Sequence, residues 1–293
     1  MAELQNQLPA LMATAQSATP VKRTGVVAML DSLGTRRGGA GKDADSFVKA
    51  WSDMYHRAKV APDQRDWAQA FILVLGFAYM SVGPGEALSL ITAAGELGPV
   101  PEGRRVLGLA DTLLVTAWGP EPPERYLPTM ASYLGLIFNA AIEAGLPLRG
   151  AVSIGEWVEL SPPEPENVLL VGQAVDDAAD WYDKADWLGV ALTPRAGFGW
   201  ASTHPVPSSG DSFVEYDVPL KIREWEHDRP LRYALNWPKT MSTNASALWV
   251  RFSRGQIPPE ATRKYHETAR FFRKFAEKNA GEGAGKKPEV DSE

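Results

Sequence analysis

Apolar and polar positions alternate in a way that divides the chain into short blocks. A continuous apolar run, Val26-Val27-Ala28-Met29-Leu30, predicts a buried strand over Thr24 to Leu30. Asp45 can cap a helix over Ser46–Lys59, with Phe47, Val48, Trp51 and Tyr55 on one face. A second helical stretch follows Pro62 and carries Trp67, Phe71 and Leu75, and residues 81–103 are glycine-rich. Arg105–Leu109 and Leu113–Trp118 then read as strands, with Ala110-Asp111-Thr112 between them as a tight hairpin. Pro128 to Ala144 reads as a helix ended by Gly145. Strands are expected at Leu148–Ile154, Val168–Val171 and Val190–Leu192, and a helix from Gly172 to about Trp187. Beyond Ser202 the pattern loosens. Ala261–Lys278 is again amphipathic, with Tyr265, Ala269, Phe272 and Ala276 close to one stripe. This order predicts an α+β sandwich, with helices on one face of a mostly antiparallel sheet.

The bulk numbers narrow the options. At 293 residues, 44% hydrophobic and 23% charged, the chain has the make-up of a globular protein with a substantial core. Its net charge of −6 gives no global basic field for nucleic acid or an anionic membrane. A polyanionic ligand would therefore need local cations or a metal. With no cysteine, disulfides, thiolate zinc sites and cysteine nucleophiles are excluded. The start of the chain does not read as a secretory signal, and the most apolar segment, Phe71 to Met80, is too short to span a bilayer. A cytoplasmic location is expected. Four parts are expected: an arm over 1–23, a main domain over 24–200, an extension over 201–280 and a disordered tail over 281–293.

The stretch after the first strand, Leu30 to Asp43, tests a phosphate-binding loop. Gly41-Lys42 resembles one, but Arg36 stands where the first glycine belongs and Asp43 where a metal-binding hydroxyl belongs. The informative residue is instead Asp31, at the strand end before Ser32-Leu33-Gly34. A carboxylate there can hold a divalent metal while the N–H groups of the turn face phosphates. Magnesium takes one or two carboxylates plus substrate phosphates, and Asp111 at the hairpin is the natural second. Singly, each aspartate has a structural explanation, because strand ends and turns favour Asp. The pair in context points to two-metal phosphoryl transfer. The four histidines have no ligand spacing. Asp176, Asp177, Asp180 and Asp183 read as a solvated, partly capping acidic face, Trp181 and Trp187 as core or dimer contacts, and Arg149 as one end of a structural salt bridge.

Four blocks in order resemble the class III nucleotidyl cyclases. "VVAMLDSLG" resembles their first metal strand and "LGLADTLLVTA" their second-metal hairpin. "LPLRGAVSIGE" resembles the strand after the following helix, and "VGQAVDDAADWYDKADWLGVALT" the strand-helix-strand that carries their transition-state residues. The resemblance spans about residues 24–193 and implies a ferredoxin-like βααββαβ core with a C-terminal extension. It implies a nucleoside triphosphate substrate, two Mg2+ or Mn2+ ions, a 3′,5′-cyclic product, and a dimer with sites at its interface. By resemblance Asp31 and Asp111 hold the metals, and Leu33 adds a backbone ligand or phosphate contact. Ser32 and Gly34 belong to the same turn.

Two departures stand out. The family helix carries an asparagine and, four residues later, an arginine that stabilise the ribose and the transition state. Here those positions are Asp176 and Asp180, which as carboxylates cannot donate to a phosphate. Arg36 and Arg37, just past the metal turn, are candidate substitutes, and equally can be solvated loop residues. Adenylate cyclases use a lysine four residues before the second aspartate, where this chain has Leu107. Arg105 lies on the same strand face and can donate to O4 or O2 of uracil, or to O6 of guanine; it can also be an edge arginine in solvent. "ALNWP" and "YHETARFF" resemble the extension of bacterial Pycsar-type pyrimidine cyclases, which make cyclic UMP or cyclic CMP for a neighbouring effector in antiphage defence. Cyclic UMP is the expected product. An inactive cyclase-fold nucleotide-binding protein, and a palm-like transferase with a linear product, are the alternatives.

Overall fold

The computed structural model describes residues 19–32, 48–49, 51–56, 99, 101–109, 112–144, 146–161, 168–206, 208, 210–222, 230–240 and 261–284. The strands among them are β1 (Thr19–Ser32), β2 (Gly103–Leu109), β3 (Thr112–Trp118), β4 (Leu148–Ser161), β5 (Leu169–Val171), β6 (Val190–Leu192), β7 (Phe213–Glu215) and β8 (Tyr233–Leu235). They form one sheet in the order β2-β3-β1-β4-β6-β8-β7, with β5 paired to β4. Of these pairings only β4–β6 is parallel. The order β2-β3-β1-β4, with every pair antiparallel, is the ferredoxin-like arrangement, so the core and the α+β class are as expected.

Four helices are α1 (Leu127–Ala144), α2 (Gln173–Trp181), α3 (Pro194–Thr203) and α4 (Thr262–Ala284). In α1 the buried positions Leu127, Met130, Leu134, Ile137, Phe138 and Ala141 recur three or four apart, as a face laid on a sheet must. They join Val26, Ala28, Leu30, Val115 and Val152 in the main core. Each large apolar side chain so buried contributes on the order of 1.5–3 kcal/mol.

The expectation of helices on one face is wrong. Val27, Leu114 and Trp157 point away from α1 and form a second core with Ala174 and Ala178 of α2. Successive strand residues face opposite ways, so α2 covers the reverse of the sheet. The two alanines, one turn apart, let it approach closely. The turn into α2 needs Gly172: its φ is +145°, and a Cβ there would lie 2.7 Å from the Trp157 Cα.

Several boundaries also move. β1 begins at Thr19, inside the expected arm, because it pairs with β4 as far as Ser161. β4 runs seven residues past the expected end at Ile154. α2 stops at Trp181 rather than about Trp187, since the following residues turn into backbone bonds with the 219–221 stretch: the Asp186 N–H donates to the Pro219 carbonyl and the Lys221 N–H to the Lys184 carbonyl. α3 lies just before the stretch expected to loosen, where no element was expected. α4 extends to Ala284, past the expected tail boundary, and buries Tyr265, Thr268, Phe271, Phe272 and Phe275; Ala269 is only half-buried. Residues 48–49 and 51–56 are helical, but Val48 is exposed and Met54 takes the inward position. The stretches expected after Pro62 and over 81–98 lie outside the described residues. The isolated partner strands β8 and β7 bring the C-terminal part into the sheet beside β6.

Candidate active site

Period-two alternation places Asp31 on the α2 face of β1, together with Val27 and Met29. Thr112 is its register partner on β3 and Arg149 its partner on β4. Strand order therefore puts the end of β1 between the β2–β3 hairpin and the start of β4. Asp111 immediately precedes Thr112 in the chain but, with Leu33, Gly34, Arg36 and Arg37, lies outside the described residues.

Arg149 answers the charge of Asp31. Its Nε and Nη2 both donate to Asp31 Oδ2, at 3.1 and 2.9 Å. The two side chains are about one-tenth exposed, at 10% and 13%. Burial of this kind makes a charged pair interdependent: removing one partner leaves the other desolvated. The salt bridge expected of Arg149 is present, and the sequence had no way to say that its partner is Asp31. Register decides that, and register follows from pairing over the whole length of β1 and β4.

The pair is itself held from behind. Arg149 Nη1 donates to the carbonyl of Asp183, at 3.0 Å, in the turn that follows α2. That turn is gripped by the C-terminal part. Lys221 Nζ lies 3.3 Å from Asp183 Oδ2, and Arg263 Nε 3.3 Å from Asp186 Oδ2. Thr268 accepts from the Leu188 N–H at 2.8 Å, while its one hydroxyl proton faces the Lys264 carbonyl of its own helix at 2.7 Å and the Leu188 carbonyl at 3.2 Å. Lys264 stands one turn before Thr268 on α4. Burial first, then the charge of Arg149, holds its ammonium below the usual lysine range, with Lys221 adding to this and Asp186 and Asp31 opposing it.

The remaining predicted residues separate. Ser32 is buried on the opposite face from Asp31, and its hydroxyl has no hydrogen-bond partner among the described residues. Arg105 does share the face of Leu107, but it is spent on an ion pair: its Nη2 is 2.5 Å from Oε1 of Glu159, which is buried on β4. Leu107 packs with Val27, Leu114 and Trp157. Asp176 and Asp180 are exposed, on the outer side of α2. The acidic-face reading holds for those two. Asp177 instead accepts from Ser153 at 2.6 Å, and Asp183 joins the Lys221 pair. Trp187 is fully buried, stacked on Tyr216 at 5.5 Å.

The donor chemistry of this corner suits a hard cation in kind and not in number. Asp31 offers a carboxylate, but among the described residues no group of three or more His, Cys, Asp or Glu is placed to hold a metal. A metal here depends on Asp111.

No protein-family model matches the chain, and no curated protein matches it. Among the solved structures it resembles are nucleotidyl cyclases. One is a guanylyl cyclase, at 12% identity and TM-score 0.37, covering 63% of this chain and 80% of that one. Another is the catalytic core of a rhodopsin-guanylyl cyclase with converted specificity, in complex with ATPαS, at 10%, TM-score 0.40, 74% and 96%. A third is a bacterial light-regulated adenylyl cyclase, at 11%, TM-score 0.33, 95% and 67%. At these TM-scores the likenesses add nothing to what the strand order already establishes. No helix among the described residues is long and apolar enough to cross a membrane.

Proposed function

We propose that the chain is a nucleotidyl cyclase that converts a pyrimidine nucleoside triphosphate, UTP before CTP, to its 3′,5′-cyclic monophosphate and pyrophosphate. The observation that carries this reading is the register of β1. It sets Asp31 beside Thr112, the residue that follows Asp111, on the central strands of a ferredoxin-like sheet. The four sequence blocks that resemble class III cyclases fall on β1, on β2 and β3, on β4, and on the end of β5 with α2 and β6. In the reaction, the ribose 3′-oxygen bonds to the α-phosphorus and loses its proton to solvent. The bond from the α-phosphorus to the bridging oxygen breaks, and pyrophosphate departs with that electron pair.

Asp31 and Asp111 would hold Mg2+ or Mn2+, with Leu33 as a backbone ligand and the turn Ser32 to Gly34 at the phosphates. Bound metal would acidify the attacking hydroxyl and neutralise charge on the departing phosphates. Arg149 orients the Asp31 carboxylate, and the Asp183 carbonyl orients Arg149. Arg36 and Arg37 stand as candidate cations. The engagement of Arg105 by Glu159 makes any base reading by Arg105 a shared one, with Glu159 fixing the guanidinium. The enzyme would work as a cytoplasmic homodimer with its sites between chains, supplying a second messenger to a cyclic-nucleotide effector in antiphage defence.

The test is incubation of the purified chain with ATP, GTP, CTP and UTP in Mn2+, with products resolved by mass spectrometry. One cyclic pyrimidine nucleotide is expected, and Asp31→Ala or Asp111→Ala should each abolish it. Near-wild-type turnover in either variant would refute the metal assignment. A second reading is a nucleotide-binding relative without turnover. The exposed carboxylates of Asp176 and Asp180, at the positions of the family's asparagine and arginine, favour it. Tight nucleotide binding with no product from any triphosphate would select it.

A further inference from the structure

The face of the sheet that α2 covers carries a second charged group, far from Asp31. Period-two alternation puts Arg23, Val27 and Asp31 on that face of β1. Trp157 is the register partner of Arg23, and Thr116 that of Arg105. Arg105 Nη2 lies 2.5 Å from Glu159 Oε1, and Arg23 Nε 3.9 Å from Glu159 Oε2. Two guanidiniums thus share one carboxylate, one at each oxygen. The Glu159 side chain is 4% exposed, whereas those of Arg105 and Arg23 are 31% and 29% exposed. Glu159 therefore anchors the two forks from below, and the guanidiniums reach the surface above it.

One carboxylate offsets one guanidinium. Among the described residues no other carboxylate lies at ion-pair distance of either arginine, so one positive charge is left over. Donors are in surplus as well. The Arg23 Nε–H is buried without a hydrogen-bond partner among the described residues. So are the Thr116 hydroxyl and the Trp157 indole N–H, which stand beside the two arginines in register. Donors left unpaired inside a fold are costly, and a cluster of them calls for an acceptor from outside the chain. The Arg23 guanidinium is also held in place: its Cζ lies 4.5 Å from the Trp118 ring centroid, and that ring meets Trp157 edge-on at 6.4 Å. A guanidinium stacked on an indole keeps its edge for planar hydrogen bonding.

We propose that Arg23 and Arg105 form an oxyanion site whose ligand is a phosphate group. A carboxylate fills one fork, whereas a tetrahedral phosphate has oxygens enough for two. The site is separate from the Asp31 corner: Arg23 and Asp31 are eight positions apart on β1, roughly 26 Å along the strand. It needs no metal, and it goes beyond the reading of the chain as a cyclase. It competes with base reading by Arg105, since a guanidinium committed to phosphate is not available to a uracil carbonyl.

The test is calorimetry on the full chain without divalent metal, at constant ionic strength, with inorganic phosphate, UMP and uridine as separate titrants. Phosphate and UMP should bind, and uridine should not. Arg23→Gln removes one charge-assisted contact and should weaken both ligands about tenfold. Arg23→Lys should recover only part of this, because an ammonium lacks the fork. Both variants leave Glu159 paired to Arg105, and melting curves check that they are folded. Arg105→Gln should weaken binding in the same way; where it disturbs the fold, Arg105→Gln with Glu159→Gln removes both charges together. Arg232→Ala, an exposed arginine paired with Glu215, is the control and should bind as wild type does. Phosphate should also raise the melting temperature of the wild type but not of Arg23→Gln, and chloride at equal ionic strength should raise neither. Wild-type affinity in folded Arg23→Gln, equal weakening in the control, or no phosphate binding by the wild type overturns the proposal. Uridine binding that depends on Arg105 also overturns it and returns Arg105 to the base. Cyclic product from a chain that binds no phosphate here sinks this site alone. Phosphate bound as expected, with no product from any triphosphate, sinks the cyclase reading alone.

Discussion

At the scale of single residues, the corner around Asp31 trades stability for charge placement. Arg149 and Asp31 are nearly buried and depend on each other. Arg149→Met should therefore destabilise the fold by about 3–5 kcal/mol, because it removes both guanidinium hydrogen bonds from a nearly buried carboxylate. The double variant Arg149→Met with Asp31→Asn should recover much of that, and chemical denaturation of the four members of the cycle measures the coupling. Lys264 makes the opposite prediction. Its ammonium sits below the usual lysine range, so in the window between its folded value and the unfolded value of 10.5 the unfolded state binds more protons, and stability rises with pH there. Below that window the charge works against folding. Lys264→Met should raise the melting temperature at pH 7, and the gain should shrink as pH approaches the unfolded value. A melting temperature lowered at pH 7 would mean that the ammonium has a stabilising partner. The aspartate at the end of β1 was legible in the sequence because a strand-terminal carboxylate before small residues is a local signal. Its pairing with Arg149 was not, since it depends on strand register over the whole length of β1 and β4.

At the scale of elements, local chemistry was readable where it was regular and misread where tertiary pairing overrode it. The β2–β3 hairpin and α1 fall within a residue or two of expectation, because each carries its own periodicity and breakers. The two long strands do not. Thr19–Arg23 and Gly155–Ser161 are polar enough to pass for an arm and a loop, yet each is the other's partner, with Lys22 paired to Glu156 at 2.8 Å and Arg23 lying over the Trp118 ring. α3 was missed although Thr193-Pro194 is a start signal: Thr193 caps Ala196 and Pro194 occupies the first turn. Its three glycine and serine positions hid the helical pattern. The side of the sheet that α2 covers could not be read from α2 itself, whose buried stripe is only alanines. The turn into α2 gives a sharp test. Gly172→Ala forces a side chain into left-handed backbone and against Trp157, so a loss of at least about 1–3 kcal/mol is expected in chemical denaturation. Gly155 also has positive φ, at +144°, but a Cβ there would meet Ala174 Cβ only at an ordinary contact distance of 3.6 Å; alanine there should cost only the backbone term, a smaller loss in the same assay.

At the scale of the whole molecule, two phenols report how the parts are joined. Tyr216 follows β7 and sits among Trp187, Phe271 and Phe275, with centroids 5.5, 4.9 and 6.3 Å away; it therefore lies where the C-terminal helix closes on the rest of the chain. Tyr133 lies on α1 beneath the Arg104 guanidinium, 4.1 Å from the ring centroid, at the other end of the main core. Burial pushes both phenols up to about 12, against the nearby Arg104 for Tyr133 and aided by Glu267 for Tyr216. An unfolded tyrosine ionises near 10. Between those two values the folded chain holds protons that the unfolded chain has released, so stability is intact below about pH 10 and falls as pH rises toward 12. The melting temperature should decline steeply across that window, with absorbance at 295 nm rising together with unfolding rather than before it. Tyr216→Phe should flatten the decline and Tyr133→Phe should flatten it independently, because the two sites share no partner and their effects should add. If Tyr216→Phe flattened the whole decline alone, the C-terminal contact would be the weakest joint of the molecule. It is also the joint that holds the start of α4 against the turn after α2, where Arg263 meets Asp186 and Thr268 meets Leu188, so in that case alkaline pH would part the helix from that turn before the sheet itself came apart.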